Sequence, residues 1–462
     1  MDIPFRIAIV LIVLVLYVHL GRKACGSLKL SRLSIMSTLF YYMLVMNLIG
    51  ISLAYIGVSE HYGIHRIRPL VDRTFYVVVY TLLVFFATVI ITNKFCTRKS
   101  QKRSFEEFIT KPVLYHKDMT GAQAGTLFLM VIGFLAMAYT FAILGYIPIT
   151  RMFTSSSYAI AVMRQRANRN FTGNVYIKNI MMKELIPFIS YYAYIWYRAT
   201  SSRTWRSIWI ILFVLSILVV THDFSKSPSV KYLISYYLIN ISLGTVNDNK
   251  QFIKLGIIST VIILFFYLVM LNVDFVGTDW LYGGPVGRIL FSQISPMGAH
   301  LATFPDQHPF LYGASFNKWL SFIIPTANDV RSARVVMETF NPEGVAEGTA
   351  GVMNTIFVGE AYANFGMFGI VIAPILFGVI IASVSNILLK VRKRPETVLL
   401  YLWFNNFFST TVEGGFIDLF YNAGYIIIPC WIIWLTVSSH SHYPMSKYSP
   451  KRKNPRPRRI VG

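Results

Sequence analysis

Charge is scarce in this chain. Only 14% of its 462 residues are charged, whereas a soluble globular protein carries about 25%. Hydrophobic residues make up 55%, and mean hydropathy is +0.54. A water-soluble fold of this length would have to show much of that apolar surface to solvent, so a soluble enzyme is excluded. A single-anchor protein is excluded too, because apolar runs recur from one end to the other. Cysteine is rarer still. Cys25, Cys96 and Cys430 have no metal-ligand spacing and no even-numbered framework. None falls in an external loop of the topology below, so neither structural disulfides nor Cys-based metal sites are expected. The chain lacks a Walker A motif, H-E-x-x-H and a Rossmann glycine pattern. It has no Asp-x-Asp pair to hold a nucleotide sugar through a metal. Neither a metal nor a cofactor is expected. No internal repeat is visible, which disfavours transporter folds built on inverted halves.

What the chain does have is apolar length. A bilayer core of about 30 Å needs about 20 apolar residues per helix. Eleven runs qualify as candidates: 3–20, 33–57, 74–92, 124–144, 181–197, 205–220, 228–243, 252–271, 364–389, 397–411 and 416–437. The expected fold is an all-α polytopic integral membrane protein of about 11 transmembrane helices. The sixth run is short and the seventh carries Lys231. If that pair is a re-entrant hairpin, two spans vanish together and the later orientation survives. The first run has no A-x-A-like cleavage site and reads as a retained span.

Lys and Arg outnumber Asp and Glu by 43 to 20, for a formal charge of +23. In a soluble protein this would suggest nucleic acid. In a membrane protein the cations first set orientation. Segments 21–32, 93–123, 198–206, 244–254, 390–396 and the tail from 438 carry 27 of them, against 15 in the alternate set. The N-terminus is therefore expected outside and the C-terminus in the cytoplasm. The chain divides into N-terminal helices (1–144), an external Arg-rich loop (145–180), central helices (181–271), a large external loop (272–352), C-terminal helices (353–437) and a basic cytoplasmic tail (438–462). The tail follows from the same charge rule and reads as a disordered segment facing lipid headgroups. No nucleic-acid partner is expected.

Two outer loops stand out. Segment 272–352 holds Trp280, Trp319, many Tyr and Phe, and punctuation at Gly283-Gly284-Pro285, Pro296 and Pro305. That composition suggests a folded lid rather than a disordered linker. Its aromatic rings suit either sugar stacking or the membrane interface. The loop 145–180 carries Arg151, Arg164, Arg166 and Arg169 without an acid, against the inside bias. Arg forks grip phosphate oxygens in two-point contact; the plain alternative is a solvated helix face touching headgroups. At outer helix ends lie His222-Asp223-Phe224-Ser225-Lys226-Ser227-Pro228 and Glu360. Charged groups at that depth point to function or pairing. The first cluster could instead close a turn through an Asp223–Lys226 ion pair. Glu360 could instead stabilise a helix dipole.

Four of these places resemble the O-antigen polymerase (Wzy) family of oligosaccharide repeat-unit polymerases. Leu144-Gly145-Tyr146-Ile147-Pro148-Ile149 is similar to its G-x-x-P-[LI] element. Ser225-Lys226-Ser227-Pro228 resembles its short basic turn, and Gly287-Arg288-Ile289-Leu290-Phe291 its arginine element early in the large loop. Val358-Gly359-Glu360 through Phe365-Gly366 resembles its G-E-x-Y-x-N-F-G segment and matches best. Their order and spacing carry the likeness, over about residues 140–370; the N-terminal third matches in hydropathy alone. One departure is that Ile324-Pro325 is followed by Thr326 rather than Arg, with Arg331 further on.

The resemblance implies a GT-C-like glycosyltransferase of the bacterial inner membrane, working on polyprenyl-pyrophosphate-linked oligosaccharides at the outer face. The growing chain would pass from its lipid to a new repeat unit. A flippase and a chain-length co-polymerase are the implied partners. Arg164, Arg166, Arg169, Lys226 and Arg288 are the expected pyrophosphate cations. Glu360 is the first candidate base, followed by His308, Glu347 and Asp306. His308 suits because an unperturbed histidine titrates near working pH; the plain alternative is a loop histidine in water. Rival readings are a lipid-oligosaccharide flippase or exporter, a ligase moving glycan to another acceptor, and a structural or sensory membrane protein.

Overall fold

The computed structural model describes residues 3–58, 61–152, 154–168, 170–246, 248–271, 285–347, 350–440 and 445–449. Regular structure among them is almost wholly helical. In chain order the main elements are α1 (Ile3–Cys25), α2 (Ile35–Met43), α3 (Val71–Cys96), α4 (Gln101–Thr110), β1 (Val113–His116), α5 (Thr120–Leu144), α6 (Ser157–Asn168), α7 (Leu185–Thr200), α8 (Arg203–Val220), α9 (Lys226–Ser242), α10 (Lys250–Leu271), α11 (Pro285–Phe291), α12 (Ile294–Thr303), α13 (Ser332–Phe340), α14 (Val358–Lys390), α15 (Pro395–Thr411), α16 (Gly424–Ser438) and β2 (Met445–Tyr448).

The protein is a membrane protein of the all-α class. Among the described residues seven helical segments are long and apolar enough to cross a bilayer: 3–32, 35–55, 68–96, 120–144, 203–220, 358–390 and 417–438. This is fewer than the eleven expected. The segments expected as spans five, seven and ten are α7, α9 and α15, of 16, 17 and 17 residues. Expected span eight coincides with α10.

Local sequence sets the helix ends. Ser34 opens α2 with a reciprocal cap to Ser37. Gly145, at φ +78°, closes α5. The core sits where α14 packs along α3, and α1 also leans on α3. Phe357 and Phe377 stack at 3.8 Å between ring centres, and Tyr17, Phe40 and Phe86 form a buried aromatic cluster. The opposite faces of α1, α5 and α16 expose Leu11, Ile12, Val15, Phe134, Leu135, Ile426 and Val437, as helices facing acyl chains do. Their backbone groups are satisfied within the helices, as a lipid solvent demands.

Connecting segments gather at two ends. At one, Arg32 pairs with Glu106 at 3.2 Å and donates to Val246 O at 2.8 Å. The Lys393 Nζ donates to the carbonyls of Phe108, Ile109 and Lys111. Strands β1 and β2 pair antiparallel there, Val113 opposite Tyr448. These segments belong to the cation-rich set, so this is the basic end. At the other, Ser295 donates to Gly63 O at 3.0 Å and Arg66 to Phe340 O at 3.4 Å. The stretch read as a lid, where described, folds as α11, α12 and α13 with a short 3-10 turn, Lys318–Phe322. The tail from 451 and residues 272–284, with Trp280, lie outside the described residues.

Candidate functional site

The segment Val358–Gly366 is the joint on which this second end is built. It opens α14, and its peptide and side-chain groups hold the preceding loop. Asn364 is fully buried. Its Oδ1 accepts from the Gly313 N–H at 3.1 Å, and its Nδ2 donates to Ser315 Oγ and to Glu360 O, both at 2.9 Å. The carbonyls of Ala363 and Asn364 accept from the N–H groups of Leu311 and Tyr312. Tyr362 donates to Phe304 O at 2.9 Å and receives Arg73 at 3.1 Å. Two strips far apart in sequence are thereby fixed together. Gly366 follows at φ 60°, ψ −141°. An L side chain is strained there, so glycine sets the kink that turns α14 into its long apolar part.

This joint aims Glu360 away from the loop it anchors. The carboxylate Oε2 accepts from the Ile417 N–H at 3.0 Å. A Cβ at Gly415 would stand 2.5 Å from that oxygen, so glycine admits the carboxylate against the α15–α16 connection. Arg331, at the start of α13, pairs with Asp418 at 3.4 Å and remains 60% exposed. Glu360, Arg331, Asp418 and Asp329 line one polar cavity of about 270 Å³ with Ser315, Asn317 and Tyr421, three carboxyls around one guanidinium. Trp319, itself 56% exposed, holds its ring 5.6 Å from that of Tyr421.

Glu360 and Arg331 also border a narrow cleft with His300 and Ser332. His300 is buried. Its Nδ1 contacts Pro296 O at 2.7 Å and its Nε2 contacts Ser332 Oγ at 3.2 Å. Burial pushes the imidazole down to about 4, so it is neutral at physiological pH. With Nδ1 donating, Nε2 accepts from the serine. Beyond Glu360, Glu413 is buried beside Asn47, whose amide donates to it. Burial raises its carboxyl to about 8, leaving it mostly protonated at neutral pH.

A second cavity, about 370 Å³, lies between α7, α15 and α16. It is predominantly apolar, with Phe188, Tyr191, Trp403, Phe407 and Trp431 in its walls, and Glu184, Asn406 and Thr410 also line it. Asn422 and Ala423 line both this cavity and the polar one. A charged chamber therefore adjoins a greasy, ring-lined slot.

The other expected site residues lie elsewhere. Arg288 is exposed on α11 near His61 and lines neither Glu360 cavity. Arg164 and Arg166 are exposed on α6 and line neither cavity. The buried Lys178 Nζ donates to the carbonyls of Ala167 and Asn168, holding the C-terminal end of that helix. Arg169 and the side chain of Lys226 lie outside the described residues; Lys226 begins α9. Asp223 accepts from the Ser225 N–H at 3.0 Å, closing the turn before α9, and His222 is buried beside it. Asp306 and Glu347 are exposed. His308 contacts Pro309 O at 2.7 Å through Nδ1 and meets the Phe304 ring edge-on. None of these three lines the Glu360 cavities.

Among the described residues no group of three or more His, Cys, Asp or Glu gathers to hold a metal. Comparison with family models, curated proteins and solved structures finds no match for this chain.

Proposed function

We propose that this chain is a membrane glycosyltransferase that polymerises polyprenyl-pyrophosphate-linked oligosaccharide repeat units at the external face of a bacterial inner membrane. The observation that carries this reading is the pair of adjoining cavities. A polar chamber in which Arg331 stands among the carboxyls of Asp329, Glu360 and Asp418 offers one cation to a diphosphate and many hydrogen-bonding groups to a sugar; an aromatic slot beside it suits an isoprenoid tail. Few substrates other than a lipid-linked glycan need both.

In this reading the bond between the donor's anomeric carbon and its pyrophosphate oxygen breaks. The phosphate leaves with the electron pair, and Arg331 meets its growing charge. A hydroxyl of the acceptor unit forms the new glycosidic bond, and its proton passes to Glu360. Glu360 is preferred to His300 because His300 Nε2 is already engaged by Ser332 and the cleft beside it is narrow. Trp319 and Tyr421 offer ring faces to the sugar.

Tail length provides the test. A substrate with its prenyl chain cut to two isoprene units is expected to show a KM about tenfold higher, with kcat little changed. Each buried methylene contributes about 0.8 kcal/mol, so losing only two or three such contacts suffices. Trp403→Ala is expected to shrink the difference between long and short tails. Equal KM values for both substrates would remove the slot from the account.

A further inference from the structure

The basic end holds a cavity unrelated to the Glu360 chamber. Its volume is about 370 Å³, and it lies between the end of α3, one face of α4 and the end of α14. Four cations line it: Arg98, Lys99, Lys111 and Lys390. The single acid in its wall, Glu107, is already held by Lys99 at 2.6 Å and by Arg103 at 3.1 Å. Lys390 donates to Cys96 O at 2.8 Å, which fixes its ammonium at the rim. Ser104, Glu107 and Lys111 recur at helical spacing, so one stripe of α4 and its C-terminal continuation faces the hollow. Burial first, and the charge of Lys111 second, push the neighbouring Lys393 ammonium down to about 7.

The bias of loop charges would scatter cations over this end, but it would not build a hollow among them. The two helices that end at the cavity, α3 and α14, also expose apolar side chains nearby in sequence. Phe95, next to Cys96, is 87% exposed, and Ile387, next to Asn386, is 60% exposed.

We propose that this cavity binds a phosphate ester, and that its natural source is the headgroup of an anionic phospholipid whose acyl chains lie along Phe95 and Ile387. The lysines and arginine meet the phosphodiester oxygens, and the exposed apolar side chains Phe95 and Ile387 on the same two helices favour a lipid over a free phosphate. The site does not depend on the sugar chemistry proposed above.

The test uses the full-length protein in nanodiscs containing phosphatidylglycerol or phosphatidylcholine. Retained lipid is read by native mass spectrometry, and the thermal midpoint is measured in parallel. Wild type is expected to retain phosphatidylglycerol selectively and to melt higher in it. The double variant Arg98→Gln/Lys111→Gln is expected to lose that preference by about tenfold. Arg203→Gln/Lys447→Gln removes the same charge from exposed positions at the same end, outside the cavity; it is expected to leave the preference intact. Equal losses in both double variants, or no preference in wild type, would overturn the proposal. A third arm adds inorganic phosphate to protein in neutral detergent. Protection there equal to that given by the lipid, and lost in Arg98→Gln/Lys111→Gln, would overturn the assignment to a lipid.

Discussion

Glu360→Gln and Arg331→Ala are each expected to slow repeat-unit extension by about a hundredfold or more, with protein still present in the membrane at near wild-type amount. An electrostatic contact realised only in the transition state contributes on the order of 3 kcal/mol, which is that factor in rate. The two positions fail for different reasons. Gln at 360 can keep the Ile417 N–H contact while losing the ability to accept a proton. Alanine at 331 removes the exposed guanidinium and releases Asp418, which leaves a carboxylate facing the diphosphate. Glu360→Gln should therefore spare substrate binding and reduce kcat. Arg331→Ala should raise KM as well. Single-turnover extension of a labelled lipid-linked unit separates the two. Normal polymer ladders from both variants would remove this chamber from the chemistry.

The second large effect concerns the joint rather than the chemistry. Gly366→Ala forces a Cβ onto a backbone at φ 60°, ψ −141°, at a cost of about 1–3 kcal/mol. Asn364→Ala leaves the Gly313 N–H and Ser315 hydroxyl without the amide that holds them, at a similar cost of about 1–3 kcal/mol. Both variants are expected to melt several degrees lower. Both should loosen the 304–315 loop, seen as faster proteolysis there, while α1–α5 stay protected. Unchanged melting for both would mean that this segment does not tie the loop to α14.

These residues also show what sequence reading reaches. The depth of an acid before a long apolar run singles out Glu360, and its partners confirm an unusual setting. The same motif's Tyr362 and Asn364 enter the sequence only as letters of the G-E-x-Y-x-N-F-G resemblance. In the fold they are fasteners, because both are buried and bonded to backbone. Arg331 stands out in sequence only as a displaced arginine. Asp418 carries no local signal, since it meets Arg331 across 87 residues. His300 and Glu413 are hidden for the same reason.

The exposed arginines of α6 were legible as a charge anomaly, yet charge alone does not say which cavity a side chain lines. The helix count shows a related limit. Hydropathy finds spans that face lipid. It also finds the runs 181–197 and 228–243, which fall on α7 and α9, helices of 16 and 17 residues whose rings face protein: Ser190 bonds the hydroxyls of Tyr232 and Tyr236 at 2.8 and 2.7 Å.

Polymerisation itself is tested with the purified protein in proteoliposomes, given one labelled polyprenyl-pyrophosphate repeat unit and no nucleotide sugar. The expected result is a ladder of products, each one repeat longer than the last and still attached to lipid, with free polyprenyl pyrophosphate released in step. Movement of the label between leaflets without any lengthening, or lengthening only after a nucleotide sugar is added, would contradict it.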